Sequence, residues 1–175
     1  MERRRFLLLA GATVVAAAGI PLIVRREAPA AGKPATSHLD GIDPDAIDWK
    51  TKDDAYWKSG LTGPQYEVCR QGGTERPFSG EYAEFHGKGT FVCSSCALPL
   101  FSAEDKFDSG TGWPSFTRPL RPEAVTLKSD WTFGLSRTEV ECARCNAHLG
   151  HVFDDGPAPT GKRYCINSVC LLHRA

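Results

Sequence analysis

Cys93-Ser94-Ser95-Cys96, repeated in kind as Cys142-Ala143-Arg144-Cys145, is the stretch from which the fold of this chain can be read. A two-residue gap lets both thiolates of a tight turn face one ion about 2.3 Å from each sulfur, and two such turns complete a tetrahedron. The 45 residues between the pairs exceed the usual ribbon spacing, so a sheet rather than one hairpin must bring the turns together. Four soft thiolates leave no position for water, which predicts a closed, structural site for zinc, with tetrathiolate iron the chemical runner-up. Two separate redox disulfides are the competing reading. A redox C-x-x-C opens a helix within a βαβ unit, where the dipole lowers the thiol pKa, and neither pair is followed by a helical pattern.

Around these turns the sequence is β-rich. Thr90-Phe91-Val92, Ala124 to Leu127 and Cys165 to Leu172 are short runs punctuated by glycines, prolines and Asx residues. Upstream, Pro44 follows Asp43 at a first helical position, and Thr51-Lys52-Asp53-Asp54 caps a short helix through Trp57 that Gly60 ends. Thr62 to Tyr66 adds one further turn, with Pro64 near its start. The stretch from Ala31 to about Asp43 is rich in Ala, Gly, Pro, Ser and Thr, so residues 31–48 read as a linker and 49–175 as one folded domain. The economical architecture is mainly β, with antiparallel pairing and short N-terminal helices.

Residues 1–30 read as an address. Arg3 to Leu7 is R-R-R-F-L, Phe6 to Val24 carries no charge, and Ala28-Pro29-Ala30 offers a small-x-small cleavage site. This is the pattern of a twin-arginine export signal cut after Ala30; the competing reading is a retained anchor, which the alanine and glycine content makes weak. The expected location is periplasmic or on the outer face of the cytoplasmic membrane, an oxidising destination. The 21 basic and 21 acidic side chains of the whole chain cancel, which removes the electrostatic argument for a nucleic-acid binder. Without residues 1–30 the balance is 16 basic to 19 acidic, a mildly acidic domain.

Seven cysteines are an odd number, so at least one thiol must do something other than pair. Cys69, Cys165 and Cys170 remain outside the two pairs. Gly161 to Val169 alternates as a strand, on which Arg163, Cys165 and Asn167 share a face. A guanidinium beside a thiol favours the thiolate and Asn167 can donate to an anion, so Cys165 is the best nucleophile candidate. The same parity turns Cys170 to the opposite face, into the core. His148-Leu149-Gly150-His151, followed by Asp154-Asp155, supplies imidazoles that the metal does not need and that become candidate proton donors. Ser109-Gly110-Thr111-Gly112-Trp113 sets an indole in a glycine-rich loop, either as core or as one wall of an apolar subsite.

Taken together, G-T-E-R-P-F-S-G at Gly73 to Gly80, K-F-D-S-G-T-G-W-P-S-F at Lys106 to Phe116, H-L-G-H-V-F-D-D-G-P at His148 to Pro157 and R-Y-C-I-N-S at Arg163 to Ser168 closely resemble the peptide-methionine (R)-S-oxide reductases. The resemblance covers roughly residues 51–172. It implies a small fold of two antiparallel sheets, a β-tent of the Mss4-like kind, with a structural tetrathiolate zinc on Cys93, Cys96, Cys142 and Cys145. It implies that Cys165 attacks the sulfur of a methionine sulfoxide and is left as a sulfenic acid. His151 then matches the principal acid with His148 in support, Asn167 and Arg163 the groups that orient the sulfoxide and favour the thiolate, Asp155 a supporting carboxylate, and Trp113 the wall that receives the S-methyl group.

One departure matters. Many relatives carry a resolving cysteine where this chain has Thr111, so another thiol must capture the sulfenic acid. Cys69, just before the G-T-E motif and near Gly72 and Gly73, is the candidate, with Cys170 or an external thiol the alternatives. The resemblance further implies oxidised proteins as substrates and a thioredoxin-like or membrane-linked thiol as reductant; a monomer with no nucleic-acid partner is expected. Two other classes compete: a zinc-ribbon-like binding module, which leaves the Cys165 face unexplained, and a general thiol-disulfide oxidoreductase, whose C-x-x-C pairs would titrate with redox potential instead of holding metal.

Overall fold

A computed structural model describes residues 38–131 and 136–175, all within the unit Gly32–Ala175. Two helices, α1 (Asp54–Gly60) and α2 (Gly63–Gln71), precede the strands β1 (Thr90–Cys93), β2 (Pro99–Ser102), β3 (Lys106–Phe107), β4 (Ser115–Phe116), β5 (Val125–Asp130), β6 (Arg137–Cys142), β7 (His148–Phe153), β8 (Arg163–Ile166) and β9 (Leu171–Arg174). They form two antiparallel sheets, ordered β2-β1-β9 and β3-β4-β8-β7-β6-β5. This is the mainly β architecture that the C-x-x-C spacing requires, in the two antiparallel sheets that the resemblance implies.

Each C-x-x-C occupies the turn of a hairpin, β1–β2 in the small sheet and β6–β7 in the large one. The two turns close alike. Ala97 N donates to Cys93 O and Cys93 N to Leu98 O, both at 2.8 Å; Asn146 N donates to Cys142 O and Cys142 N to Ala147 O, both at 2.9 Å. The residue after each second cysteine, Ala97 or Asn146, turns the chain at positive φ, 58° and 56°. Between the sheets lies an aromatic core in which Phe101 stacks on Phe116 at 4.4 Å and Phe91 meets Phe116 edge-on at 5.2 Å. Trp49 and Trp57 stack at 6.0 Å beneath the N-terminal helices, and each such buried ring contributes about 2–3 kcal/mol of apolar burial.

The N-terminal readings hold in part. Asp43 caps a 3-10 turn at Pro44–Ala46, and Asp53 caps α1. The second element is longer than the expected single turn from Thr62 to Tyr66. A reciprocal Thr62–Gln65 capping box opens α2, buried Val68 and Cys69 extend its apolar face, and Gly72 closes it in the left-handed conformation. The described part of the segment read as a linker is packed rather than free: Leu39, Ile42 and Ile47 lie against the core, and His38 Nε2 reaches Ser95 O at 3.0 Å.

The strand expected from Cys165 to Leu172 is broken. Glu75 accepts hydrogen bonds from the backbone of Ser168 and Val169, so these amides are withdrawn from any ladder and Ser168–Cys170 coils into a 3-10 turn. The chain thereby passes from the large sheet to the small one, and strand parity does not run through to Cys170. Cys170 is nonetheless fully buried, in the core. The export signal expected at residues 1–30 lies outside the described residues, among which no helix is long and apolar enough to cross a membrane.

Candidate active site

β8 lies between β4 and β7, and the register sets Cys165 opposite Ser115 on one side and His151 on the other. Directly opposed residues project to the same face, so the thiol is flanked by a hydroxyl and an imidazole. Of the seven cysteines six are buried; Cys165 alone is half-buried. It opens into a cavity of about 150 Å³, walled also by Trp113, Arg137, His151 and Asn167. A larger groove of about 660 Å³ runs past Arg118, Leu120 and Tyr164 and contains no thiol or imidazole. Tyr164 belongs to the opposite face of β8, so the nucleophile serves only the smaller cavity.

Burial pushes the Cys165 thiol up. Thr111, whose Oγ1 lies 4.0 Å from the sulfur, then the charge and hydrogen bond of Arg163, and finally Ser115 act in the other direction. Arg163 is itself fixed: its Nε and Nη2 each donate to the Asp155 carboxylate at 2.8 Å, and its guanidinium lies over the Phe153 ring, 4.4 Å from the centroid. The Arg163 pairing holds Asp155 below the ordinary carboxylate range.

His148 and His151 are an odd number of residues apart and would diverge on a regular strand. A bulge on β7 corrects this, because Glu141 pairs with His148 while the adjacent Val140 pairs with Gly150. The two rings meet edge-on, their centroids 5.5 Å apart. His148 Nδ1 donates to Glu139 Oε1 at 2.6 Å, and His151 Nε2 donates to Asp130 Oδ2 at 2.9 Å. Asp130 also accepts from Arg137 Nη2 at 2.7 Å. Burial lowers the pKa of His151, partly offset by Asp130.

Asn167 stands just past β8, buried, with Nδ2 donating to Leu149 O at 3.0 Å and Oδ1 accepting from Glu75 N at 3.1 Å. Glu75 O accepts from Trp113 Nε1 at 3.1 Å, so one residue of the G-T-E motif positions both the amide and the indole. Burial raises the Glu75 carboxyl, and the amides of Ser168 and Val169 oppose this.

Elsewhere, the sulfurs of Cys93, Cys96, Cys142 and Cys145 all lie within 4.8 Å of one another and all four residues are buried. The Cys93–Cys145 and Cys96–Cys142 distances, 3.8 and 3.5 Å, approach the ~3.8 Å between ligands of a tetrahedron with 2.3 Å bonds. Hydrogen bonding to the Cys142 sulfur, with burial adding to it, drives Cys93, Cys96 and Cys145 up, while bonds from Cys145, Cys93 and Cys96 hold Cys142 well down. Four adjacent buried sulfurs cannot all ionise without a cation, so donor set and spacing together fit a tetrathiolate metal ion.

A SelR domain model matches residues 61–175. "Peptide methionine sulfoxide reductase MsrB" of Thiobacillus denitrificans (strain ATCC 25259 / T1) is 56% identical over 120 residues, which cover 69% of this chain and 91% of that protein. The protein of the same name from Pseudomonas putida (strain GB-1) is 59% identical over 122 residues, 70% of this chain and 92% of that one. The chain belongs to the MsrB family. As an MsrB chain it is an oxidoreductase that reduces methionine sulfoxide, with a buried four-cysteine cluster able to hold a metal ion.

Within this MsrB fold Cys165, His151, Asn167 and Trp113 meet at one cavity, while His148 stands behind His151 and Arg163 with Asp155 flanks the thiol. Cys69 is placed differently from its reading as a mobile thiol. It lies inside α2 and is buried, its sulfur 2.7 Å from Cys170 and 3.8 Å from Ser94 Oγ. Sequence reasoning missed Asp130, Arg137, Glu139, Ser115 and Glu75 as groups that hold the site. Ser115 and Glu75 lay inside quoted motifs; the other three carry no spacing signal, because only β-pairing brings them to the histidines.

Proposed function

We propose that this chain reduces the R diastereomer of methionine sulfoxide in oxidised proteins, with Cys165 as nucleophile. The observation that carries the reading is the placement of Cys165 beside His151 across the β7–β8 pair, on a small cavity walled by Trp113. Burial raises the thiol and lowers the imidazole, so the resting pair is thiol and neutral ring. Transfer of the Cys165 proton to His151 generates thiolate and imidazolium together. The thiolate attacks the sulfoxide sulfur, the oxygen receives the proton from His151, and methionine leaves as Cys165 retains the oxygen as a sulfenic acid. With Nε2 committed to Asp130, Nδ1 carries the proton that moves. The second Nδ2 proton of Asn167 orients the sulfoxide oxygen, and the Trp113 ring receives the S-methyl group.

A thiol then condenses with the sulfenic acid, releasing water, and a thioredoxin-like or membrane-linked dithiol reduces the resulting disulfide. The four-cysteine cluster holds zinc, which supplies stability and takes no part in the reaction. The chain acts as an exported monomer outside the cytoplasm, without nucleic acid, after twin-arginine translocation and cleavage behind Ala30.

The test is to offer both diastereomers of a methionine sulfoxide peptide, with dithiothreitol, to the wild type and to Cys165→Ser. The R form should be consumed and the S form left, with no turnover by the variant. Equal use of both forms, or activity that survives the substitution, overturns the proposal. Cell fractionation and N-terminal sequencing should find a chain beginning at Ala31 outside the cytoplasm; a cytoplasmic chain that keeps Met1 contradicts export.

A further inference from the structure

The core holds sulfur atoms at two different spacings. In the four-cysteine cluster the close contacts are 3.5 and 3.8 Å, suited to ligands around an ion. Cys69 and Cys170 lie outside that set, with their sulfurs 2.7 Å apart, within about 0.7 Å of the ~2.05 Å disulfide bond. Both residues are buried, at 1% and 0% exposure, and they come from elements 101 residues apart, α2 and the 3-10 turn after β8. Nothing in the reduction of methionine sulfoxide employs a thiol pair at this place.

We propose that Cys69 and Cys170 form a structural disulfide that fastens α2 to the Ser168–Cys170 turn. The seven cysteines then divide completely: four for metal, two in the cross-link and Cys165 for chemistry. The oxidant is a disulfide donor. When the last turn of α2 opens, the Cys69 thiolate attacks a donor sulfur, the donor S–S bond breaks and one donor thiol leaves. The Cys170 thiolate then attacks the Cys69 sulfur of the mixed disulfide and expels the second donor thiol. Two protein thiols lose two protons and two electrons, and the donor disulfide becomes two thiols. An oxidising compartment maintains the link. A linked Cys69 cannot resolve the Cys165 sulfenic acid, so that task falls to an external thiol.

The cross-link is tested independently of sulfoxide turnover. Trypsin places Cys69 in peptide 59–70 and both Cys165 and Cys170 in peptide 164–174, so Cys165→Ser leaves a single possible bridge between them. The metal-loaded Cys165→Ser chain is equilibrated with oxidised glutathione, alkylated and digested without reductant. Linked 59–70/164–174 should dominate. Alkylated or glutathionylated Cys69 and Cys170 in its place overturn the proposal. In a second measurement, wild type unfolds at a higher temperature oxidised than reduced, and Cys170→Ala removes that difference; equal unfolding of the two wild-type forms counts against a structural link. In wild type stopped after one turnover, a Cys69–Cys165 bridge would reassign Cys69 to catalysis and likewise overturn it.

Discussion

One oxygen of Asp130 accepts from both His151, at 2.9 Å, and Arg137, at 2.7 Å. It raises the His151 pKa against the larger effect of burial, so its neutralisation moves His151 further down. In the proposed cycle the active form is thiolate with imidazolium, a minority when the thiol titrates above the ring. Asp130→Asn should therefore shift the acid limb of the kcat/KM profile to lower pH and reduce its plateau about tenfold, below the range for complete loss of a proton donor. A profile that keeps both limbs and loses only height would mean that Asp130 acts by orientation alone. At this scale the residues that meet at the cavity were legible, Cys165 from the face it shares with Arg163, and His151 and Trp113 through the combined motifs rather than through their own spacing. Asp130, Arg137 and Glu139 were not, since their role arises only when β5, β6 and β7 align.

Among the elements, the β7 bulge decides whether the site exists. It sets the two histidines on one face, and Gly150 passes close to the neighbouring strand: a Cβ there would lie 2.1 Å from Cys165 O, at a φ of 154°. Gly150→Ala must push β7 from β8, at a cost of about 3 kcal/mol and roughly 10 °C of melting temperature. Differential scanning calorimetry checks this, and an unchanged transition would show that the strands yield freely. Glu75 is the second decisive group, because its carboxylate starts the Ser168–Cys170 turn while its backbone holds Asn167 and Trp113. If Asn167 and Trp113 hold substrate as proposed, Glu75→Gln should raise KM more than it lowers kcat, since both groups shift with Glu75; steady-state kinetics separates the two. Neither device was readable beforehand. Alternation from Gly161 to Val169 describes a longer strand than Arg163–Ile166, because a distant carboxylate withdraws the Ser168 and Val169 amides. The α2 signals were all present in Thr62, Pro64, Gln65 and Gly72, and reading them as one turn stopped too early at Tyr66.

For the molecule as a whole, the duplicated C-x-x-C was the most informative signal, since 45 intervening residues already required a sheet to reunite the pairs. What spacing could not convey is that each pair belongs to a different sheet. Structural zinc contributes ~10–16 kcal/mol of apparent binding free energy, comparable with the ~5–15 kcal/mol total stability of an ordinary domain. Metal analysis should find one zinc per chain, and Cys142→Ser should abolish cooperative unfolding rather than change diastereomer preference; a folded, metal-free variant would contradict this. The two turns also supply a clock. An ion gripped half by one sheet and half by the other cannot depart while the sheets remain together, so its transfer to a coloured chelator should proceed at the rate of global unfolding and become independent of chelator concentration. Release of the ion would then time, in the intact chain, how long each folded molecule survives.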